Sequence, residues 1–208
     1  TNHCTLTVNT FADGKKYISG NRCDKGLGNL KQHKPLPDLY EYKLKKLNSF
    51  QGGSAKRGKI GLPMALGMYE LLPLWHGIFN ALGFETVLSG GSTRRVYEKG
   101  QFTIPSDTAC YPAKLMHGHI MNLLEVGVDA IFYPCLTYNV DEKSSDNHYN
   151  CPVVAYYPEL LKANNDKLND DNFIMPYLDI NIKKHVAKAM ARALSKYNIT
   201  AKQVLGVL

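Results

Sequence analysis

The chain is 208 residues long, room for one generous domain or a domain with a small appendage. With 44% apolar and 21% charged residues it is ordinary globular material, which excludes wholesale disorder, and its apolar runs fall far short of the roughly 20 residues that span a bilayer. The net charge of +7 belongs to the first quarter: residues 1–60 hold 12 Lys/Arg against 4 Asp/Glu, leaving 13 against 14 in the remainder. Such a basic stretch suits an acidic partner domain, an anionic substrate or a solvated linker, and the expectation is against both a nucleic-acid and a membrane partner. No charged n-region followed by an apolar h-region opens the chain, and it begins at Thr1 rather than Met, so a fragment of a longer cytoplasmic polypeptide is expected. Five cysteines, an odd and widely spaced set, argue for reduced thiols rather than a secreted disulfide framework.

In chain order, Cys4–Phe11 alternates as a short strand, Ala12-Asp13-Gly14-Lys15 reads as a hairpin turn, and Lys16–Ser19 returns. Cys4 and Cys23 bracket this hairpin. Residues 31–57, with Pro35, Pro37, a Lys-rich helix-like stretch at Leu39–Leu47 and Gly52-Gly53-Ser54, read as a connector, so residues 1–57 form a basic hairpin-and-linker segment. From residue 58 strands alternate with helices. Lys59–Pro63 predicts a buried strand; Leu72–Leu82 a helix with Leu74, Ile78 and Leu82 inward, Pro73 in its first turn and Gly83 as its stop; Phe84–Leu88 a second strand. A Ser89-Gly90-Gly91-Ser92-Thr93 loop leads into a short helix over Arg94–Lys99. The segment Thr108–Pro112 then starts a helix over Ala113–Val126 with Met116, Ile120, Leu123 and Leu124 inward. Val128–Tyr133 predicts a third strand, Cys151–Tyr156 a fourth, and Lys183–Lys196 a last helix. Strand–helix alternation with short turns implies an α/β domain over 58–208, a parallel sheet covered by helices, beside a small N-terminal β-hairpin unit.

Ligands of open parallel sheets gather at the carboxyl ends of the strands, beside helix N-termini. Cys110 precedes a helix whose positive terminus favours thiolate, Cys135 follows the third strand, and the loop before Cys151 is long enough to bend it back to the same rim. Three thiolates there suit a soft metal or an iron–sulfur cluster, while each alone also serves as a small buried hydrophobe. Cys4 and Cys23 make a second pair, for which zinc would need two more ligands from His3, another segment or residues upstream. His117 and His119 lie about 200° apart on one helix, so they cannot face one site, and a core or surface role is expected for each. His76, beside Trp75, reads as packing. Lys114 is placed to pair with a thiolate or an anion at the helix start, or stays solvated. The Ser89–Thr93 loop has the composition of a phosphate cradle without its motif and serves equally as a helix cap.

Several of these stretches carry a resemblance: Ile18-Ser19-Gly20-Asn21-Arg22-Cys23; the run from Lys59-Ile60-Gly61-Leu62-Pro63 through Tyr69-Glu70 to Pro73-Leu74-Trp75-His76; Ile104-Pro105-Ser106-Asp107-Thr108-Ala109-Cys110-Tyr111-Pro112-Ala113-Lys114; Phe132-Tyr133-Pro134-Cys135; and Asn150-Cys151-Pro152-Val153-Val154. Together they resemble the domain of large acyl-CoA dehydratase activase-related proteins, also described as CoA-substrate-specific enzyme activases. That domain is similar in turn to subunits of 2-hydroxyacyl-CoA dehydratases and to double-cubane cluster proteins. The resemblance implies a Rossmann-like fold and a 4Fe–4S or double-cubane cluster on Cys110 and Cys135, with Cys151 as third ligand on a looser match. It also implies a role in ATP-dependent, low-potential electron transfer in anaerobic metabolism. Its partners would be an ATP-binding activase module, in the same longer chain or a separate protein, and an acyl-CoA substrate. Two other readings stay open. One is a structural or interaction domain whose cysteines, with Cys4 and Cys23, hold zinc or nothing; the other is a thiol enzyme with Cys110 as nucleophile, which lacks an evident base.

Overall fold

The computed structural model describes residues 5–20, 26 and 36–208, which leaves the Cys4/Cys23 pair outside the described residues. The chain divides into two compact units, Thr1–Tyr42 and Lys43–Leu208. In the first, β1 (Thr7–Thr10) and β2 (Lys16–Ser19) pair antiparallel with Thr7 opposite Ser19 and Thr10 opposite Lys16. Gly14 takes φ 81° in the turn, a left-handed conformation that glycine adopts without steric cost, and Asp13 Oδ1 accepts the Lys15 N–H at 3.0 Å. The unit boundary falls inside α1 (Leu39–Leu47).

The second unit is an α/β Rossmann-like domain. In chain order it runs β3 (Lys59–Leu62), α2 (Gly67–Glu70), α3 (Leu72–Ala81), β4 (Glu85–Leu88), α4 (Arg94–Gly100), a 3-10 turn at Gln101–Thr103, and α5 (Tyr111–Val126). There follow β5 (Ala130–Phe132), β6 (Cys135–Leu136), α6 (Pro152–Ala163), β7 (Phe173–Ile174), β8 (Tyr177–Leu178), α7 (Lys183–Ala193) and α8 (Ala201–Val207). The four-stranded sheet has the order β4-β3-β5-β7, every pair parallel. Past Pro134 and Pro176, β6 and β8 resume the pairing in parallel, with Cys135 opposite Tyr177.

Register sorts the side chains into two faces. Ile60 is level with Ala130 and Gly61 with Ile131, so Ile60, Leu62, Ala130 and Phe132 share one face. Helix α3 covers that face: Trp75 and Phe79 meet the Phe132 ring edge-on at centroid distances of 5.0 and 4.8 Å. Gly61 looks to the other face, where a Cβ would sit 3.0 Å from Leu123 of α5, so the missing side chain lets α5 settle close to the sheet. Gly118 on α5 and Gly100 at the end of α4 do the same between helices, since a Cβ on either would fall on backbone atoms of the other element.

Four expectations are corrected. Cys151–Tyr156 is not a strand: Cys151 is the N-cap of α6 and Pro152 occupies its first turn, where the missing N–H costs nothing. The fourth strand of the sheet is instead Phe173–Ile174, paired with Ile131 and Phe132. On α3 the inward stripe is Leu72, Trp75, Ile78 and Phe79, while Leu74 is exposed, because the Phe132 ring draws the large aromatics. Finally, the last predicted helix ends at Ala193, and a further helix, α8, follows, opened by a capping box between Thr200 and Gln203. Among the described residues no helix is long and apolar enough to cross a membrane.

Candidate functional site

The chain goes from the central β3 outward to β4 and then crosses back to β5 on the other side, which opens a crevice beyond the carboxyl ends of these strands. Every sequence-predicted residue of the second unit lies toward that edge or on the helices starting there. Cys110 is the N-cap of α5 and Cys151 the N-cap of α6; both thiols are exposed, and neither makes a side-chain cap hydrogen bond. Cys135, the first residue of β6, is buried, with its N–H donated to Pro176 O at 2.9 Å. Burial and the nearby Glu159 carboxylate push its thiol up to about 12, so at neutral pH it keeps its proton. Helices α5 and α6 lie against one another. A mostly apolar groove of about 430 Å³ runs between Pro105–Ala109, just before Cys110, and the first turns of α6, just after Cys151.

Two tyrosines that composition and spacing did not single out join the thiols. Tyr157, on α6, lines the groove; burial and the charge of Cys110 raise its phenol to about 12, which puts Cys110 within electrostatic reach. Its hydroxyl lies 3.0 Å from His117 Nε2. Thr103 Oγ1 donates to Gly100 O and so receives the proton of His117 Nδ1 at 2.7 Å, leaving Nε2 to accept from Tyr157. Tyr133, just past β5, is 2% exposed, and its hydroxyl finds no hydrogen-bond partner among the described residues. Burial, then Cys135 and Tyr157, drive its pKa upward. An unpaired buried hydroxyl costs about 1–3 kcal/mol, so Tyr133→Phe is expected to stabilise the unliganded protein by about 1 kcal/mol in urea unfolding. A destabilisation of that size would show that the hydroxyl is paired after all.

The histidines behave as expected from their angular separation. His117 turns to Thr103 and Tyr157; His119, wholly buried, turns to the loop after β4, with Nδ1 2.7 Å from Ser89 Oγ and Nε2 2.9 Å from Ser92 Oγ. Burial lowers both imidazoles from the ordinary 6.5 to about 4. His76 is a packing residue with Nδ1 2.7 Å from Thr86 Oγ1 and its ring edge-on to Phe50. Lys114 donates to Asp107 O at 2.9 Å rather than to a thiol. The Ser89–Thr93 loop does serve as a cap, Thr93 Oγ1 accepting Val96 N–H at 3.2 Å. Leu66, after β3, holds φ 50° and ψ −142°, a conformation that costs a non-glycine residue about 1–3 kcal/mol.

Among the described residues no three of His, Cys, Asp and Glu come together closely enough to hold a metal ion. Cys110 and Cys151 are chain neighbours of residues that line the groove, Ala109 and Pro152, and the buried Cys135 lies beside Tyr133. A family model described as a CoA enzyme activase uncharacterised domain matches residues 59–206. No curated protein and no solved structure matches the chain.

Proposed function

Given that the chain belongs to the CoA enzyme activase uncharacterised domain family over residues 59–206, we propose that it serves an acyl-CoA dehydratase–activase system as an iron–sulfur electron carrier. Cys110, Cys135 and Cys151 are the cysteines that would hold the cluster. The observation that carries the reading is the placement of the exposed Cys110 and Cys151 as N-caps of two adjoining helices, together with the unpaired buried hydroxyl of Tyr133 beside the buried Cys135. A 4Fe–4S or double-cubane cluster would supply one-electron transfer at low potential. The protein's share is to anchor, to shield and to tune. Cys110 and Cys151 stand at the positive ends of two helices, which favours bound anionic sulfur. Burial raises the Cys135 thiol, so binding a metal there would release a proton and would weaken as the pH falls. The tyrosine hydroxyl offers a hydrogen bond to a sulfur or to a bound substrate. The electron source in this reading is an ATP-dependent activase module, and the substrate an acyl-CoA.

The absence of a gathered ligand group among the described residues favours a second reading, a structural or interaction domain with zinc or no metal on its cysteines. One measurement separates them: iron and acid-labile sulfide in protein made and purified without oxygen, beside Cys110→Ala and Cys135→Ala. Near-stoichiometric iron and sulfide in the parent, falling to background in both variants, is the expected result. Iron-free protein of unchanged stability, or zinc in its place, would end the electron-carrier reading.

A further inference from the structure

A second groove, of about 440 Å³, opens at the same sheet edge, over the carboxyl ends of β3 and β4. Its walls include Met64, Leu66, Tyr69, Gly91 and Leu115; the half-buried Tyr69 and the exposed Ser92 carry its two side-chain hydroxyls, and no charged residue lines it. The volume lies within the usual range for small-molecule sites. The strained Leu66 belongs to one wall; backbone strain of this kind gathers at ligand sites.

What Ser92 presents follows from the hydrogen bonds of Ser89 and His119. Ser89 Oγ, 6% exposed, already accepts Met64 N–H at 2.8 Å. Were His119 Nδ1 also a donor to it, the Ser89 hydroxyl hydrogen would be buried without an acceptor, a costly arrangement. Ser89 therefore donates to Nδ1, and the proton of the neutral imidazole sits on Nε2, where it is given to Ser92 Oγ. The same assignment removes Ser92 from consideration as a base-activated nucleophile, because Nε2 is already protonated. Its own hydrogen is given to water in the free protein and is available to a ligand in the groove. The relay also ties the loop after β3, through Met64, to the loop after β4, so the exposed Ser92 hydroxyl is held from beneath by the buried Ser89 and His119.

We propose that this groove binds a neutral carbonyl compound, its apolar body against Met64, Leu66 and Leu115 and its carbonyl oxygen accepting the hydrogen of Ser92 Oγ. No lining residue carries a charge, and Lys43, whose ammonium stands 5.5 Å from the Tyr69 ring centroid, is paired with Glu70 at 2.7 Å, so a carboxylate or an ammonium group gains no unneutralised counter-charge and the site discriminates by charge as well as shape. The site is independent of any metal on the cysteines, and its test needs none.

The test uses the whole chain and three matched probes, butyramide, butyrate and butylamine, followed by chemical-shift perturbation of backbone amides. Butyramide is expected to shift Gly90, Gly91 and Ser92, to bind at least about fivefold more tightly than either charged probe, and to lose about fivefold to tenfold in Ser92→Ala, the value of one neutral hydrogen bond. Ser92→Thr should restore most of that loss. A Cβ at Gly91 meets nothing within 4 Å and its φ is ordinary, so Gly91→Leu should fold normally yet abolish binding. Imidazole nitrogen shifts of His119 provide the separate readout, with Nε2–H expected. Equal binding of the three probes, butyramide binding indifferent to Ser92→Ala and Gly91→Leu, no amide shift with butyramide, or an Nδ1–H tautomer at His119 would each overturn the proposal.

Discussion

Acidification from pH 7 to 4 is expected to remove about 6 kcal/mol of stability, roughly 3 from each of two buried histidines. Burial lowers His117 and His119 from 6.5 to about 4. Between those limits the unfolded chain binds two protons that the folded chain refuses, so stability falls as the pH drops through the window and levels off, for these groups, below about 4. Neither imidazole has an acidic side chain among its hydrogen-bond partners: His117 meets Thr103 and Tyr157, and His119 meets Ser89 and Ser92. A loss of this size is comparable with the whole stability of a typical domain, about 5–15 kcal/mol. Urea midpoints at half-unit intervals from pH 7 to 4 give the slope directly, and a His117→Gln, His119→Gln double variant should flatten it. A parent protein whose midpoint is constant from pH 6.5 to 4.5 would show that the two rings are solvated.

Gly118→Ala is the substitution expected to do most damage. The methyl would be driven into Val96 O and within 2.5 Å of Val96 C, both backbone atoms of α4, so no rotamer change relieves it. The two helices would have to separate, and overpacking that moves backbone costs about 3 kcal/mol or more. Gly100→Ala meets the mirror obstacle, Gly118 N and His117 C. His117 and His119 flank the crossing, so separation would also loosen the Tyr157 and Ser92 contacts. Gly77→Ala, on α3 with nothing within 4 Å of its Cβ, is the matched control and should be neutral or stabilising by up to about 1 kcal/mol. Equal melting temperatures for the Gly118 and Gly77 variants would refute the close crossing.

What could be read from the sequence follows from the range of the interactions involved. The strands at Lys59–Leu62 and Glu85–Leu88 and the helix ending at Gly127 carry local signals, apolar periodicity and glycine stops, that tertiary contacts reinforce. Val153-Val154 misled because a β-branched pair in a short apolar run reads as a buried strand; the continuation through Leu160 and Leu161, and Pro152 at a helix start, were the better guides. Phe173–Ile174 is two residues between polar chain and a proline, a strand only because β5 offers it an edge. The stripes through Leu74 and through Trp75 fit the helical period equally, and Phe132, nearly sixty residues on, chooses between them. The cysteines were visible as candidates, whereas the Ser89–His119–Ser92 relay joins residues about thirty apart, and the orphaned Tyr133 hydroxyl depends on what surrounds it.

The contrast between one sealed thiol and two open ones turns the carboxyl edge into its own stopwatch. In a chain with Cys4 and Cys23 changed to Ser, a neutral disulfide reagent should consume Cys110 and Cys151 in a rapid phase. Cys135, 1% exposed, can react only when its surroundings open locally; α6, which packs on β6 and brings Glu159 to the thiol, is the element that would have to move. When reclosing outruns the reagent, the rate of that slow phase divided by the rate of an exposed thiol is the equilibrium constant for local opening. The slow thiol thus reports how often this edge of the sheet opens.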